Sequence, residues 1–302
     1  MSILVTGGLG MIGSNVVRLL QDTGRIVKIV DFAVDHDADL RNFEVCKHAS
    51  QNARQIFHVA DRTVGVGYSS KHHGEMFTNS MMISLNILEA ARQNRVADYL
   101  LVSSSCVYPD SVRAEAKEEN AIYAPESANE GYGWAKRMAE VQAQYYAKEC
   151  GMRIVIARPA NVYGPSYHWQ RPDEDTHVIP ALVRKMLRAD PEIVVWGSGN
   201  QTRTFQYERD TAGLMIELMK DGHSGIAYNL GGFEISIRDL VYLLAKLCDY
   251  KGRISFDTSK PEGPARKAQD VSKMLDCIRN GDRVSLKEGL EKTIEAARKA
   301  FS

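Results

Sequence analysis

Tyr132 and Lys136 stand four residues apart. On a helix they share one face, and an ammonium beside a phenol stabilises its anion. A phenol lowered in this way from its ordinary pKa of about 10 can exchange a proton with a sugar hydroxyl or ketone near neutral pH. A lone Tyr-x-x-x-Lys recurs by chance. Here it follows Ser103-Ser104-Ser105 at the end of a β-rich stretch and a glycine run near the start of the chain, and that combination is specific.

The glycine run is Thr6-Gly7-Gly8-Leu9-Gly10-Met11-Ile12-Gly13. Its position between a strand and a helix matches a dinucleotide-binding turn, where glycines let the backbone approach a pyrophosphate and the helix N-terminus supplies positive dipole. The plain alternative is a glycine-rich turn with no ligand. Asp31 at the end of the next strand weighs against that, because a carboxylate there accepts from a ribose 2′-hydroxyl and repels a 2′-phosphate, favouring NAD over NADP.

These residues need a parallel sheet to hold them. Short β-rich runs at Ile3 to Thr6, Ile26 to Asp31, Gln55 to Val59, Tyr99 to Ser103 and Arg153 to Ala157 alternate with helical patterns at Met11 to Gln21, Met76 to Arg92 and Gly131 to Lys148. After Arg158-Pro159 the texture changes to loops rich in Gly, Pro, Asp and aromatics. Helices are still expected at Ile179 to Arg188, Arg238 to Leu247 and Leu286 to Phe301, the last with Leu286, Leu290, Ile294, Ala297 and Phe301 on one face.

Lys+Arg and Asp+Glu are both 38, so no global field favours nucleic acid or an anionic membrane. No apolar run approaches the ~20 residues that span a bilayer, and no signal peptide opens the chain, so a cytoplasmic protein is expected. Five scattered cysteines with no C-x-x-C pair, and histidines without ligand spacing, read as reduced thiols and no metal site.

Longer segments carry more information: Ser104-Ser105-Cys106-Val107-Tyr108-Pro109, Arg158-Pro159-Ala160-Asn161-Val162-Tyr163-Gly164-Pro165, His177-Val178-Ile179-Pro180-Ala181-Leu182, and Trp196-Gly197-Ser198-Gly199-Asn200-Gln201-Thr202-Arg203-Thr204-Phe205. With them the whole chain resembles the extended short-chain dehydrogenase/reductases. The likeness is to their nucleotide-sugar epimerase type, nearest to the GDP-L-fucose synthase and GDP-mannose 3,5-epimerase branches. The resemblance implies an α/β fold: a Rossmann-type doubly wound parallel sheet with a smaller C-terminal α+β substrate domain. Residues 1–162 would form the NAD(P)-binding domain and 163–302 the nucleotide-sugar domain, with segments near 204–235 returning to the first. It also implies a homodimer built on the helices around Met76 to Arg92 and Gly131 to Lys148.

By the same resemblance, Ser104 polarises the reacting oxygen, Tyr132 is the acid/base, and Lys136 tunes Tyr132 and holds the nicotinamide ribose. Cys106 and His177 match the two acid/base groups that invert carbons beside a C4 ketone. Cofactor contacts are implied at Gly7, Gly10, Met11, Ile12, Gly13, Asp31, Asp39, Leu40, Ala60, Asn79, Tyr132, Lys136 and Pro159. For the nucleotide-sugar the resemblance points to Gly65, Val66 and Gly67 as a glycine loop, then Ser105, Asn161, Val178, Lys185, Trp196, Arg203 and Arg266. NADPH-dependent relatives carry basic residues around the adenosine 2′-phosphate, where this chain has Leu9 and Asp31. The paired acids before the Ala-Gly-Leu-Met helix read Glu208-Arg209-Asp210. The expected activity is NAD-linked epimerisation of a GDP-hexose at C3 and/or C5 through a 4-keto intermediate. Its rival is an epimerase that also reduces the ketone, and a third reading, a non-catalytic dinucleotide sensor, is disfavoured by the presence of Tyr132 and Lys136.

Overall fold

The computed structural model describes residues 2–112, 115–122, 124–171, 176–260, 263–278, 281 and 283–302. In chain order the elements are β1 (Ser2–Thr6), α1 (Met11–Asp22), β2 (Val27–Val30), α2 (Phe43–Ala49), β3 (Ala53–His58), α3 (Val66–Ser69), α4 (His73–Gln93), β4 (Asp98–Val102), α5 (Glu130–Glu149), β5 (Arg153–Pro159) and β6 (Asn161–Tyr163). They continue with α6 (Val178–Leu187), β7 (Glu192–Trp196), β8 (Thr202–Tyr207), α7 (Glu208–Asp221), β9 (Ala227–Leu230), β10 (Phe233–Ser236), α8 (Ile237–Cys248), β11 (Arg253–Asp257), β12 (Arg266–Lys267), α9 (Ser272–Cys277) and α10 (Leu286–Phe301).

Six strands form a parallel sheet in the order β2-β1-β3-β4-β5-β9. Alternation along each strand divides the apolar residues between two faces. Ile3, Val5, Leu100 and Val102 pack with Val16, Val17 and Leu20 of α1 and Met215 and Leu218 of α7. Leu4, Tyr99 and Leu101 pack on the opposite face with Ile87 and Leu88 of α4 and Ala139 and Ala143 of α5. Strand order reverses between β1 and β3, and in such sheets ligands bind outside the strand ends at the reversal. The glycine loop follows β1 there.

A second layer surrounds Ile179, Leu182 and Val183 of α6, Leu240 and Leu244 of α8, and Leu290 and Ile294 of α10. It carries a small sheet in which β8 pairs with β10, β12 and β6, plus the parallel pair β7 and β11. On α10 the expected stripe is buried at Leu290, Ile294 and Ala297, while Phe301 is exposed and sets its ring edge-on to Trp169.

Boundaries shift where side chains have no sheet neighbour to pack on. Ile26 is 78% exposed and outside β2, which ends at Val30 and leaves Asp31 in the loop. Helix α4 starts at His73, earlier than Met76. Among the described residues no helix is long and apolar enough to cross a membrane, and no His, Cys, Asp or Glu group could hold a metal ion.

Candidate active site

At the cofactor end, Gly13 lies so close beneath the loop that a Cβ on it would stand 2.0 Å from the Gly7 carbonyl oxygen. Only glycine permits that closeness. The first turn of α1 has Gly10 as its cap with no side-chain hydrogen bond and no acidic residue, so its N–H groups face outward for an anion. This cradle fits a dinucleotide diphosphate. Asp31 accepts from the Leu9 N–H (2.9 Å) and the Ala33 N–H (3.0 Å), which holds its carboxylate against the glycine loop. Arg41, not anticipated from the sequence, forks onto Asp39 and donates to the Asn79 carbonyl at 3.0 Å, and its hydrogen bond holds the Asp39 carboxyl below its ordinary range. Leu40 is core, packed in the cluster with Leu4 and Ile56, and Ile12 packs beneath β1.

At the chemical end, β4 delivers Ser103, whose N–H reaches the Ala157 carbonyl, and then a short 3-10 turn at Ser105–Val107. Ser104 caps that turn by accepting the Cys106 N–H at 3.1 Å. Helix α5 lies directly over it: a Cβ on Gly133 would come within 2.6 Å of the Cys106 carbonyl oxygen, so the glycine beside Tyr132 lets the helix settle on the turn. Ser105 is buried in the turn, Pro159 ends β5, and Ala60, two residues beyond β3, lies against Gly7 of the glycine loop. Tyr132, Lys136, Ser104 and Cys106 are thus brought to one place.

The electrostatics depart from expectation. Lys136 Nζ is 5.6 Å from the centre of the Tyr132 ring, but it donates to the Val102 carbonyl at 2.9 Å and pairs with Asp61 at 2.6 Å, both side chains being 3% exposed. The Tyr132 phenol is pushed well above its ordinary range, by burial first and then by Asp61 and Cys106, with only the Ser104 hydrogen bond acting the other way. A lowered phenol was expected; its surroundings act in the opposite direction. Burial likewise drives the Cys106 thiol up to about 12, aided by Glu126 and opposed by Lys267, whose Nζ is 3.9 Å from the sulfur. Lys267 itself pairs with Glu126.

His177 caps α6 and lines a recess with Met11, Val162, Tyr163, Tyr167 and Ile179. Desolvation, then Arg171, lower its imidazole from the ordinary range, although the residue keeps an exposed surface. Cys106 is not among the residues that line this recess.

The expected sugar and nucleotide contacts divide. Trp196 ends β7 with half its surface exposed, as a stacking ring requires. Arg203 on β8 reaches the Pro264 carbonyl at 2.8 Å. Lys185 and Val178 are half-buried on α6. Asn161 donates to the Thr204 carbonyl and so ties β6 to β8. Arg266 forks onto Glu234 at 2.7 Å and also meets Glu115, and it lines a recess together with Ser105, Glu126 and Lys267. Gly65, Val66 and Gly67 correct the expectation of a loop, since Gly65 caps the short helix α3 that holds the other two. In the Glu208-Arg209-Asp210 run, Glu208 takes the Ser166 hydroxyl and Asp210 the Val284 N–H, while Arg209 faces solvent.

What sequence reasoning missed were the partners. Asp61, Ser80, Glu126 and Lys267 belong to no motif; the one available signal was an acidic residue directly after an apolar strand ending.

Comparison with known proteins gives concordant results. The NAD dependent epimerase/dehydratase family matches residues 3–231. GDP-L-fucose synthase of Escherichia coli (strain K12) is 31% identical over 97% of this chain and 95% of its own length. GDP-L-fucose synthase of Sinorhizobium fredii is 31% identical over 97% and 94%. Among solved structures, UDP-glucose 4-epimerase of Thermotoga maritima superposes with a TM-score of 0.89 at 25% identity, covering 100% of both chains. A GDP-L-fucose synthetase from Naegleria fowleri bound to NADP shares the fold with a TM-score of 0.87 at 24% identity, covering 99% of this chain and 94% of that one.

Proposed function

Since the chain belongs to the NAD dependent epimerase/dehydratase family, we propose that it is an epimerase-reductase of a GDP-4-keto-6-deoxyhexose, the rival rather than the leading expectation from sequence. The observation that carries this reading is the grouping of the Tyr132 phenol and the Cys106 thiol around the Ser104 hydroxyl at the end of β4. The GDP-L-fucose synthase relatives, matched over nearly their whole length, support the substrate class.

A bound nicotinamide dinucleotide supplies hydride to C4. The chain's own residues do the rest. Ser104 polarises the C4 oxygen and Tyr132 gives it a proton. Next to a C4 ketone the C3 and C5 protons are acidic, and an inversion needs one group to take a proton and another to return one to the opposite face. A neutral His177 can take, and a protonated Cys106 can give. Trp196 and Arg203 serve the nucleotide by stacking and by charge.

For the cofactor, Asp31 supports NADH over NADPH, because an added 2′-phosphate would meet its carboxylate with like charge. The test supplies a GDP-4-keto-6-deoxyhexose in deuterated water with either reduced cofactor. The expected result is cofactor oxidation, faster with NADH, and deuterium at C3 or C5 of the product. Deuterium without cofactor oxidation would restore the pure epimerase; oxidation without deuterium would make the protein a plain ketoreductase.

A further inference from the structure

Asp61 follows β3 and reaches the base of the catalytic centre, where nothing in the expected triad calls for a carboxylate. It is fixed on both oxygens: Oδ1 accepts from the Ser80 hydroxyl of α4 at 2.7 Å, and Oδ2 pairs with Lys136 at 2.6 Å. Lys136 gives one N–H to the Val102 carbonyl, and it meets Asp61 as a close ion pair without an aligned hydrogen bond, which leaves Asp61 Oδ2 with no hydrogen-bond donor. Below the pair, His58 is fully buried, linked to the Thr6 hydroxyl at 2.8 Å, and held neutral down to about pH 3 by burial and by Lys136. The other charges near the centre are already matched with each other: Lys267 with Glu126 beside Cys106, and Arg62 with Glu75 on the outer rim. Of the formal charges left, Asp61 acts on the Tyr132 phenol and Lys136 stands 5.6 Å from its ring centre, and the two sum to zero.

The protonation state in which Tyr132 meets its substrate depends on that sum. Reducing a ketone converts C=O to CH–OH: hydride from a reduced nicotinamide dinucleotide joins the carbon, the phenolic proton joins the oxygen, and the phenolate regains its proton from solvent. Oxidising the alcohol at the same carbon needs the reverse, a phenolate ready to accept the hydroxyl proton. An unopposed ammonium beside Tyr132 would favour the phenolate. We propose that Asp61 is a positioning residue that cancels the Lys136 charge in a buried ion pair and so keeps Tyr132 a proton donor, equipping the centre for ketone reduction. The proposal rests on the reductase reading above for its meaning in turnover, but its test does not.

The test titrates the cofactor-free protein by pH-jump, following the tyrosinate absorbance of wild type minus Tyr132→Phe, which isolates Tyr132. Its midpoint in wild type should lie above the ordinary tyrosine value of about 10. Asp61→Asn, which keeps the shape but not the charge, should lower the midpoint by about one pH unit, as expected for one charge removed at close range in a partly screened interior. Asp61→Glu, which restores a carboxylate, should return it towards wild type. A wild-type midpoint at or below about 10, or one unmoved by Asp61→Asn, overturns the proposal. If Asp61→Asn does not fold, Asp61→Ser, which also removes the charge, is titrated in its place and is held to the same outcomes. Substrate is absent throughout, so a protein that fails to reduce any 4-keto sugar would defeat the functional reading and leave this measurement intact.

Discussion

Lys136 and Glu140 lie one turn apart on α5, and each enters a buried ion pair, but the two pairs are completed differently. Glu140 takes both forks of Arg158 at 2.7 Å, the Ser103 hydroxyl, and Arg137 at 3.2 Å. Arg158 goes on to the Tyr108 hydroxyl at 2.9 Å and the Glu118 carbonyl at 3.0 Å. Every group has partners, and the network ties α5, β4 and β5 into one body. The Asp61 pair is sparser, held by one serine and one carbonyl, and it borders the site. A saturated buried pair acts as scaffold; a sparse one beside a reactive phenol leaves capacity for a ligand and for changes of protonation.

That contrast can be broken by mutation. Arg158→Leu should have the largest effect on stability, about 3–5 kcal/mol, because it strands the Glu140 carboxylate in the interior. Urea unfolding measures it, and a loss no greater than that of a surface change would remove the scaffold role. Asp61→Asn should cost less, about 1–2 kcal/mol, since the amide still accepts from Ser80 and Lys136 can turn towards the cleft. Equal losses in the two variants would erase the distinction between the pairs. Tyr132→Phe should change stability by no more than about 0.5 kcal/mol while lowering turnover by about 10²–10⁴-fold. Stability and turnover then rank Arg158→Leu and Tyr132→Phe in opposite orders, and identical rankings would argue that Tyr132 is structural.

The glycine loop and five of the six strands of the parallel sheet were legible because each leaves a local pattern, Gly at fixed offsets or apolar runs such as Ile3 to Val5, whereas β9, at Ala227–Leu230, was not among the expected strands. Tyr132 and Lys136 were legible through helical spacing. Their charge state was not. Asp61 is 75 positions from Lys136, and a single acidic residue carries no spacing from which a partner could be inferred. The same blindness affected Arg266, whose neighbours Glu115 and Glu234 are brought to it by the small sheet and its flanking loop. Short helix α3 was missed because glycines at 65 and 67 read as a loop. Local pattern reports elements; the fields acting on their side chains come from residues distant in sequence.

The packing of α1 against α7 has a consequence for biosynthesis. Ile3, Val5, Val16, Val17 and Leu20 are covered by Ala212, Leu214, Met215 and Leu218, from a helix that begins at Glu208. At about 5–20 residues per second, a ribosome needs on the order of 10–40 s between finishing α1 and finishing α7. For that interval one oily face of the nascent sheet is open to water, an exposure that chaperones shield. A chain cut at residue 162 would lack α7 and leave the patch that Ala212, Leu214, Met215 and Leu218 cover without its partner.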